Sequence, residues 1–325
     1  MIQTMRSGTV LQSGENVVCV GCHEDRTAAA GNTPNAAVTI AAQKEPQRPA
    51  DWYGPARNFS FMAEVQPVLN RHCVECHDYG KSAGEKLNLA PDRDLVFNTA
   101  YVELWLSDKI ACIGGGPAEL LDAGFWGSRA SKMIDELTRP QIREHAEAGF
   151  PDRLTREDFD RLITWLDLNA VYYPCYESAY PESRTGRTPL TGEEFRRLGE
   201  LAGVNADDWA YHENKPRPVV TFERPEKSPV LTAVRDRIMR EKNLSAAEAL
   251  GDTEYREALD LIRRGAERLR EKPRADMAGF TPCEKDRERL EKADRLRAKE
   301  MNFRAAIRRG KRMSDRDDAA EKEKE

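Results

Sequence analysis

The sequence predicts a mainly α-helical protein, and two observations support this. Apolar residues recur at helical spacing in several segments. Acidic residues also follow Ser or Thr by three positions at three points, as in the capping boxes that begin helices. These pairs are Thr155 with Asp158, Thr191 with Glu194, and Ser245 with Glu248. A chain of 325 residues is long enough for two or three small domains, each with its own core.

The first half of the chain changes character near residue 52. Residues 27–55 are rich in Ala, Thr, Asn and Pro and lack a hydrophobic period, which predicts an extended linker. A helix is then predicted from the apolar residues Phe59, Phe61, Met62, Val65, Val68 and Leu69. A further helix is expected over 100–110, and the three glycines at 114–116 predict a loop after it.

The second half is predicted to be helical throughout. Phe159, Leu162, Ile163 and Leu166 share one face of the helix that begins after Thr155, and the polar segment 182–189 predicts a domain boundary near 185. The helix through Tyr255, Leu259 and Ile262 is expected to end at Gly265. A charged helix is expected over 284–310, with a thin apolar stripe and a disordered tail after it. The stripe comprises Leu290, Ala293, Leu296, Phe303 and Ile307.

Charge and hydropathy argue against nucleic-acid binding and against a membrane-spanning segment. The net charge is −5, and Arg and Glu are interleaved, so no basic field would attract nucleic acid. No run approaches the roughly 20 apolar residues of a membrane-spanning helix, so no transmembrane segment is predicted. Residues 1–18 also lack the apolar core of a signal peptide.

Two Cys-x-x-Cys-His motifs carry the chemistry of this sequence. They comprise Cys19, Cys22 and His23, and Cys73, Cys76 and His77. This pattern supplies two thiols for the vinyl groups of a porphyrin and an imidazole for its iron, so it predicts two covalently bound haem c groups. One such pentapeptide would arise by chance in roughly a few chains per thousand of this composition. Two together make coincidence implausible.

Two other interpretations of the motifs remain open at this point. Cys-x-x-Cys with His also suits a zinc site, although zinc wants a fourth ligand and the adjacent His is strained for the same tetrahedron. A thioredoxin-type thiol pair is the other interpretation, although it would be expected to follow a strand in a βαβ unit. Cys175 and Cys283 are candidates for a disulfide, with Cys112 left unpaired.

Each haem iron with a motif histidine has a second axial position. His145 is the predicted ligand of the second iron, because it lies between the break at Pro140 and the Thr155 helix and could fold back over the ring. Met133 is the weaker competitor. His72 could reach a neighbouring haem or could be a solvated histidine, and His212 is equally well explained as surface.

Several phrases of the sequence resemble the middle and C-terminal regions of the hydrazine synthase alpha subunit and its dihaem relatives. They are QTMRS at 3–7, CVGCHE at 19–24, VQPVL at 65–69, WLDLNA at 165–170, FERPEKSP at 222–229 and PRADM at 273–277. The resemblance implies an exported or periplasmic enzyme in which a β-propeller precedes this region. It also implies a catalytic first haem and a second, bis-histidine haem for electron transfer.

The chain departs from that family at its beginning. It has no propeller and starts inside a family phrase, so it is expected to be a truncated product or one piece of a split protein. In hydrazine synthase the first motif histidine binds zinc, and a Tyr four residues later binds iron. That position is Thr27 here, and a threonine hydroxyl is a poor substitute for a phenolate, so ordinary ligation by His23 is expected.

The combined expectation is a cytochrome c-like fold in three parts. Residues 1–50 hold the extended first-haem segment and linker, 51–184 form the second-haem domain, and 185–325 form the helical C-terminal region. The predicted function is electron transfer in an exported redox protein, with a redox protein or the other subunits of a multihaem complex as partners. The alternatives are a hydrazine synthase-like catalytic fragment that uses the first haem, and a structural or docking subunit.

Overall fold

The computed structural model describes residues 52–113, 124–139, 143–183, 185–209 and 218–308. The chain forms two compact units, one of residues 1–57 with 114–125 and one of residues 58–113 with 126–325. In the first unit, the described residues include Arg57, whose guanidinium lies 5.2 Å from the centroid of the Trp52 ring and donates to the Tyr53 carbonyl at 2.7 Å. The predicted disordered tail after residue 310 and the segment of the first motif lie outside the described residues.

The described part of the second unit is mainly helical and contains no β-strand, which confirms the mainly α prediction. A π-helical turn, Phe61–Val65, leads directly into the first α-helix. The α-helices are α1 Gln66–His72, α2 Thr99–Leu106, α3 Lys132–Thr138, α4 Arg143–Glu147, α5 Arg156–Asp167, α6 Gly192–Ala202, α7 Val230–Lys242, α8 Ala246–Leu250, α9 Thr253–Glu271 and α10 Glu284–Arg308. Among these helices none is long and apolar enough to cross a membrane.

All three predicted capping boxes are present. Thr155, Thr191 and Ser245 each accept a hydrogen bond from the backbone N–H three residues on, and the carboxylate at that position accepts from the cap residue. They begin α5, α6 and α8. Each box satisfies two N–H groups that would otherwise lack a partner at the helix start, so the start is fixed by local sequence.

The end of α2 differs from the prediction. The helix was expected to reach Ile110, but it ends at Leu106 because Asp108 has a φ of 55° and leaves the right-handed helical region. The Lys109 N–H then turns back to the Leu104 carbonyl at 3.2 Å. Ile110 is nevertheless buried, so its apolar character reflects packing and not helix membership.

The prediction that Gly265 ends a helix is wrong, since α9 continues to Glu271. A Cβ at this position would lie 2.6 Å from the Phe222 ring and 2.9 Å from a Leu190 methyl. Both distances are shorter than carbon atoms tolerate. Gly265 therefore allows close packing inside a continuous helix.

Buried apolar residues form two clusters that divide near residue 185. The first comprises residues from the π-helical turn, α1, α2, α3 and α5, among them Phe61, Leu69, Leu104, Leu162, Trp165 and Leu166. The second comprises residues from α6, α7, α8 and α9, together with Leu95 and Val96. Phe97 packs against both clusters. The three-part division of the chain itself stays a prediction.

A fully buried ion pair joins the C-terminal region to the first cluster. Arg274 and Asp276 have side chains that are 1% and 0% exposed, and Arg274 Nη2 lies 2.9 Å from Asp276 Oδ2. Arg274 also donates to the Asp94 carbonyl at 2.9 Å and the Phe97 carbonyl at 3.0 Å. Tyr172 donates its hydroxyl to Asp276 at 2.7 Å. These bonds satisfy both charges away from water, which makes the pair tolerable in the interior.

Burial and charge act oppositely on this pair. Burial by itself raises the pKa of Asp276, but Arg274 more than offsets this and the pKa lies below its usual value. Burial by itself lowers the pKa of Arg274, and Asp276 more than offsets that, so the guanidinium pKa is raised. Both groups are therefore charged at neutral pH, and each depends on the other.

We expect Arg274→Met to destabilise the fold by about 3–5 kcal/mol, because it leaves the buried Asp276 carboxylate without its cation. Urea denaturation of the purified chain, read as the free energy of unfolding, measures this. Arg295→Met, which changes an exposed arginine of α10, is the matched control and should cost less than about 0.5 kcal/mol. Equal effects of the two substitutions would show that the pair does not hold the fold.

We also expect Gly265→Ala to destabilise the fold by about 1–3 kcal/mol, although alanine is the better helix former. The added methyl would collide with Phe222 and Leu190. Gly192→Ala at the start of α6 meets nothing within 4 Å and should be neutral or slightly stabilising in the same denaturation assay. A neutral Gly265→Ala variant would contradict the close-packing role.

Candidate functional site

The second motif follows the end of α1, as predicted. The Cys73 N–H donates to the Leu69 carbonyl at 2.8 Å, and the His77 N–H donates to the Cys73 carbonyl at 2.9 Å. The chain therefore continues to turn through the motif, which keeps the two cysteines and His77 close together. Cys73 packs against the first hydrophobic cluster, whereas Cys76 is exposed.

The Cys73 thiol differs from an activated redox nucleophile. Burial raises the pKa of the Cys73 thiol to about 12, and the nearby Arg153 only partly opposes this. A thiol with that pKa is protonated at neutral pH. Thioredoxin-type nucleophiles need the opposite, a pKa lowered towards neutrality so that the thiolate is present.

One ring nitrogen of His77 is held by the backbone. Its Nδ1 lies 2.8 Å from the Leu87 carbonyl oxygen. Because a carbonyl can only accept, Nδ1 carries the hydrogen and Nε2 keeps its lone pair. The Leu89 N–H donates to the His77 carbonyl at 2.9 Å, so backbone and side chain are both tied to the same segment. This is the usual way that a metal-binding histidine is oriented.

Residues 77–92, the motif loop, are folded back on their own beginning. Gly84 is buried against Asp78, and a Cβ at residue 84 would lie 2.0 Å from the Asp78 carbonyl oxygen. Only glycine allows this approach. The Asp78 side chain is bound by Arg224, which comes from the C-terminal half of the chain. The loop that orients His77 is thus held by two contacts, the packing of Gly84 on Asp78 within the loop and the bonds of Arg224 from the C-terminal half.

The His145 ring lies close to the His77 ring. His145 belongs to the short helix α4, its ring centroid is 6.0 Å from that of His77, and the ring planes make an angle of 52°. The Phe150 ring lies 5.7 Å away on another side. The His145 Nδ1 atom is buried and has no hydrogen-bond partner. A buried nitrogen without a partner costs about 1–3 kcal/mol, and a metal ion or an ordered water would each satisfy it.

The ionisation of His145 also favours metal binding. Burial lowers the pKa of the imidazole, and the neighbouring His77 lowers it further. Glu136 and Glu144 oppose this shift only in part. The ring is therefore neutral at pH 7 and has a lone pair available, as a metal ligand requires.

These residues fit a haem iron. Two imidazoles bound to one metal ion through nitrogens at about 2 Å each hold their ring centroids about 6 Å apart. The observed distance between His77 and His145 is 6.0 Å. Cys73 and Cys76 precede His77 in the motif, and they are the residues that would supply the thiols for attachment of a porphyrin. Within the described ranges no three His, Cys, Asp or Glu side chains form a metal cluster, and an iron in a porphyrin needs only two axial protein ligands.

The other candidate ligands have different environments. Met133 is buried in the first hydrophobic cluster. The His72 Nε2 atom lies 3.1 Å from Asp158, which also accepts a hydrogen bond from Arg71, so this ring is paired with a carboxylate and is not a freely solvated histidine. Whether it reaches a neighbouring haem stays a prediction. Cys19, Cys22, His23 and His212 lie outside the described residues.

The remaining cysteines are free thiols. Cys112, Cys175 and Cys283 each have an intermediate exposure and are not bonded to another sulfur. The possible disulfide between Cys175 and Cys283 is therefore not formed. The two residues lie on neighbouring segments, since the Cys283 N–H donates to the Ser178 carbonyl at 2.8 Å, but hydrogen bonds and not a covalent link join them.

Sequence reasoning did not identify three partners of the site. These are the Leu87 carbonyl that binds His77, Gly84 beneath Asp78, and Arg224. A carbonyl has no sequence signal, and Arg224 is 146 residues away from Asp78. Only the glycine carried a signal, since a buried glycine in a loop indicates a close backbone approach.

We expect Gly84→Ala to loosen the motif loop. The added methyl would collide with the Asp78 backbone, so the hydrogen bond from Leu89 to His77 should open more often. Amide hydrogen exchange of Leu89 in the unloaded protein should accelerate at least about tenfold, equivalent to 1.4 kcal/mol. Gly251→Ala, where the nearest atom is 3.4 Å away, is the control. Unchanged exchange of Leu89 would contradict the close approach.

Comparisons with known proteins do not assign the chain to a family. No family model, curated protein or solved structure matches the chain. The resemblance to the hydrazine synthase alpha subunit therefore stays a prediction from the phrases quoted above.

Proposed function

We propose that the chain is a dihaem c-type cytochrome module that transfers electrons within an exported redox protein. The observation that carries the proposal is that the His145 ring lies 6.0 Å from the ring of His77, the histidine of the second Cys-x-x-Cys-His motif. The second motif would hold one haem, and Cys19, Cys22 and His23 would hold the other.

Each residue of the second site has a definite role in this proposal. The thiols of Cys73 and Cys76 would each add across one vinyl group, with the sulfur and the hydrogen going to the two carbons of the double bond. His77 would bind the iron through Nε2, because Leu87 holds Nδ1. His145 would bind the opposite face, and its neutral ring needs no deprotonation before it does so.

A haem with histidine on both faces supplies reversible one-electron chemistry. Both axial positions are then filled, so this site has no open position for a substrate. The ligands come from packed segments, since Leu87 and Phe150 both contact the first hydrophobic cluster. The second site is therefore proposed as a carrier.

The two other interpretations of the motif have less support. The raised pKa of Cys73 disfavours a thiolate nucleophile, as a thiol redox pair would need. A zinc site would need deprotonated thiols and four converging ligands. His77 instead faces an imidazole 6.0 Å from its own ring, which suits two opposed ligands.

We expect the full chain, expressed with a c-type haem maturation system, to gain the mass of two haems and to show a sharp α-band when reduced. His145→Ala should convert the haem of the second motif from low-spin to high-spin, because one axial ligand is lost. Electronic absorption and electron paramagnetic resonance of the ferric protein measure this.

His72→Gln is the matched control, because this histidine contacts Asp158 and not His77. It should leave the spin state unchanged. A wild-type chain that matures without haem would refute the proposal as a whole, whereas an unchanged spectrum of His145→Ala would refute only the ligand assignment.

A second candidate function concerns the first haem. Of the five histidines, His72 is engaged by Asp158, and His77 and His145 face each other. No histidine within the described ranges is therefore left to fill the second axial position of the first iron. His212 lies outside those ranges, and an open position at the first haem, as in a hydrazine synthase-like oxidoreductase of nitrogen chemistry, is the second candidate.

We expect that open position to bind cyanide or nitric oxide at one haem per wild-type chain. Spectral titration of the ferric and ferrous protein measures the stoichiometry. A chain in which neither ligand changes the spectrum has two closed haems, and only the electron-transfer function would then remain.

A further inference from the structure

Arg224 is bound to both ends of the motif loop. Its Nη1 and Nη2 atoms lie 2.9 and 2.7 Å from the two carboxylate oxygens of Asp78. Its Nε atom lies 2.6 Å from Asp92 Oδ1, and Nη2 also contacts Asp92. The guanidinium carbon is 5.0 Å from the centroid of the Tyr79 ring, close enough for a cation–π interaction. One side chain therefore binds the residue after His77 and the end of the loop.

The surrounding backbone holds Arg224 in this position. Its N–H donates to Thr221 Oγ1 at 3.2 Å, and the same hydroxyl donates to Asp92 at 2.7 Å. The Phe222 N–H donates to the Arg93 carbonyl at 3.0 Å. The guanidinium fork is thus fixed before any ligand binds, and it matches two carboxylates in the way that lysine cannot.

The charges at this site do not cancel. Two carboxylates face one guanidinium, and the Asp92 side chain is only 3% exposed, so water screens it little. The ion pair of Arg224 with Asp78 is partly buried as well. Removing the guanidinium would leave two anions close together beside the loop that carries His77.

We propose that Arg224 sets the reduction potential of the haem at the second motif, by offsetting the charges of Asp78 and Asp92 and by positioning the loop that orients His77. This inference rests on the proposed function of that site. Negative charge near an iron stabilises its ferric state more than its ferrous state. Loss of Arg224 therefore lowers the potential, and loss of the Asp78 charge raises it.

The opposite signs separate this role from a purely structural one. A loosened loop would change the potential in the same direction whichever partner is removed. A charge effect must reverse its sign between Arg224→Gln and Asp78→Asn. Arg224→Lys keeps the positive charge but loses the planar guanidinium fork. Its reduction potential should therefore be closer to that of wild type than to that of Arg224→Gln, while its motif loop is less ordered than in wild type.

The test is a potentiometric titration of the full chain with both haems, for wild type, Arg224→Gln, Arg224→Lys and Asp78→Asn. The component that His145→Ala alters identifies the second haem. Arg197→Gln is the matched control, because Arg197 forms a similar two-bond pair with Glu257 on α6 and α9 at 2.7 and 2.8 Å. The expected result is a lower potential for Arg224→Gln, a higher one for Asp78→Asn, and no shift for the control.

Two results would overturn the proposal. One is a shift of the same sign for Arg224→Gln and Asp78→Asn, and the other is no shift in either. If Arg224→Gln does not fold or take up haem, Asp78→Asn still decides, because it must raise the potential. Failure of the proposed function appears earlier and separately, as a wild-type chain that carries no haem by mass.

Discussion

The buried pair of Arg274 and Asp276 ties the C-terminal region to the first half of the described fold. Two charges without access to water are stable only when every donor and acceptor has a partner. Here the partners are backbone carbonyls of residues 94–97 and the Tyr172 hydroxyl, which belong to the first half of the chain. The pair can be satisfied only when the C-terminal region is docked.

That docking has a consequence for the site. Asp92 precedes Asp94, whose carbonyl Arg274 binds, by two residues in the chain. The Asp92 side chain is also a partner of Arg224. The C-terminal region therefore contacts the end of the motif loop through two arginines. The same loop holds His77 through Leu87. Contacts from the C-terminal half thus extend, through the motif loop, to the histidine that would bind iron.

The sequence predicts those features that depend on neighbours in the chain. The capping boxes at Thr155, Thr191 and Ser245 were predictable because each joins residues only three positions apart. His145 was singled out because the chain offers few histidines. Features set by distant contacts were not predictable.

Gly265 shows why the rest could not be predicted. A glycine near the end of an apolar pattern indicates a helix end, but here the contact with Phe222 decides its role and α9 continues past it. Arg224 was visible only as part of a phrase, FERPEKSP, and its two carboxylate partners are more than 100 residues away. Tertiary contacts override local signals at both positions.

In the proposed second site, His77 and His145 would bind the two faces of one haem iron. X-ray diffraction from crystals of the matured full chain, collected on both sides of the iron absorption edge, tests this most directly. The expected result is an anomalous iron peak between the two rings, about 2 Å from a nitrogen of each. A peak elsewhere, or one that appears only at the zinc edge, would contradict it.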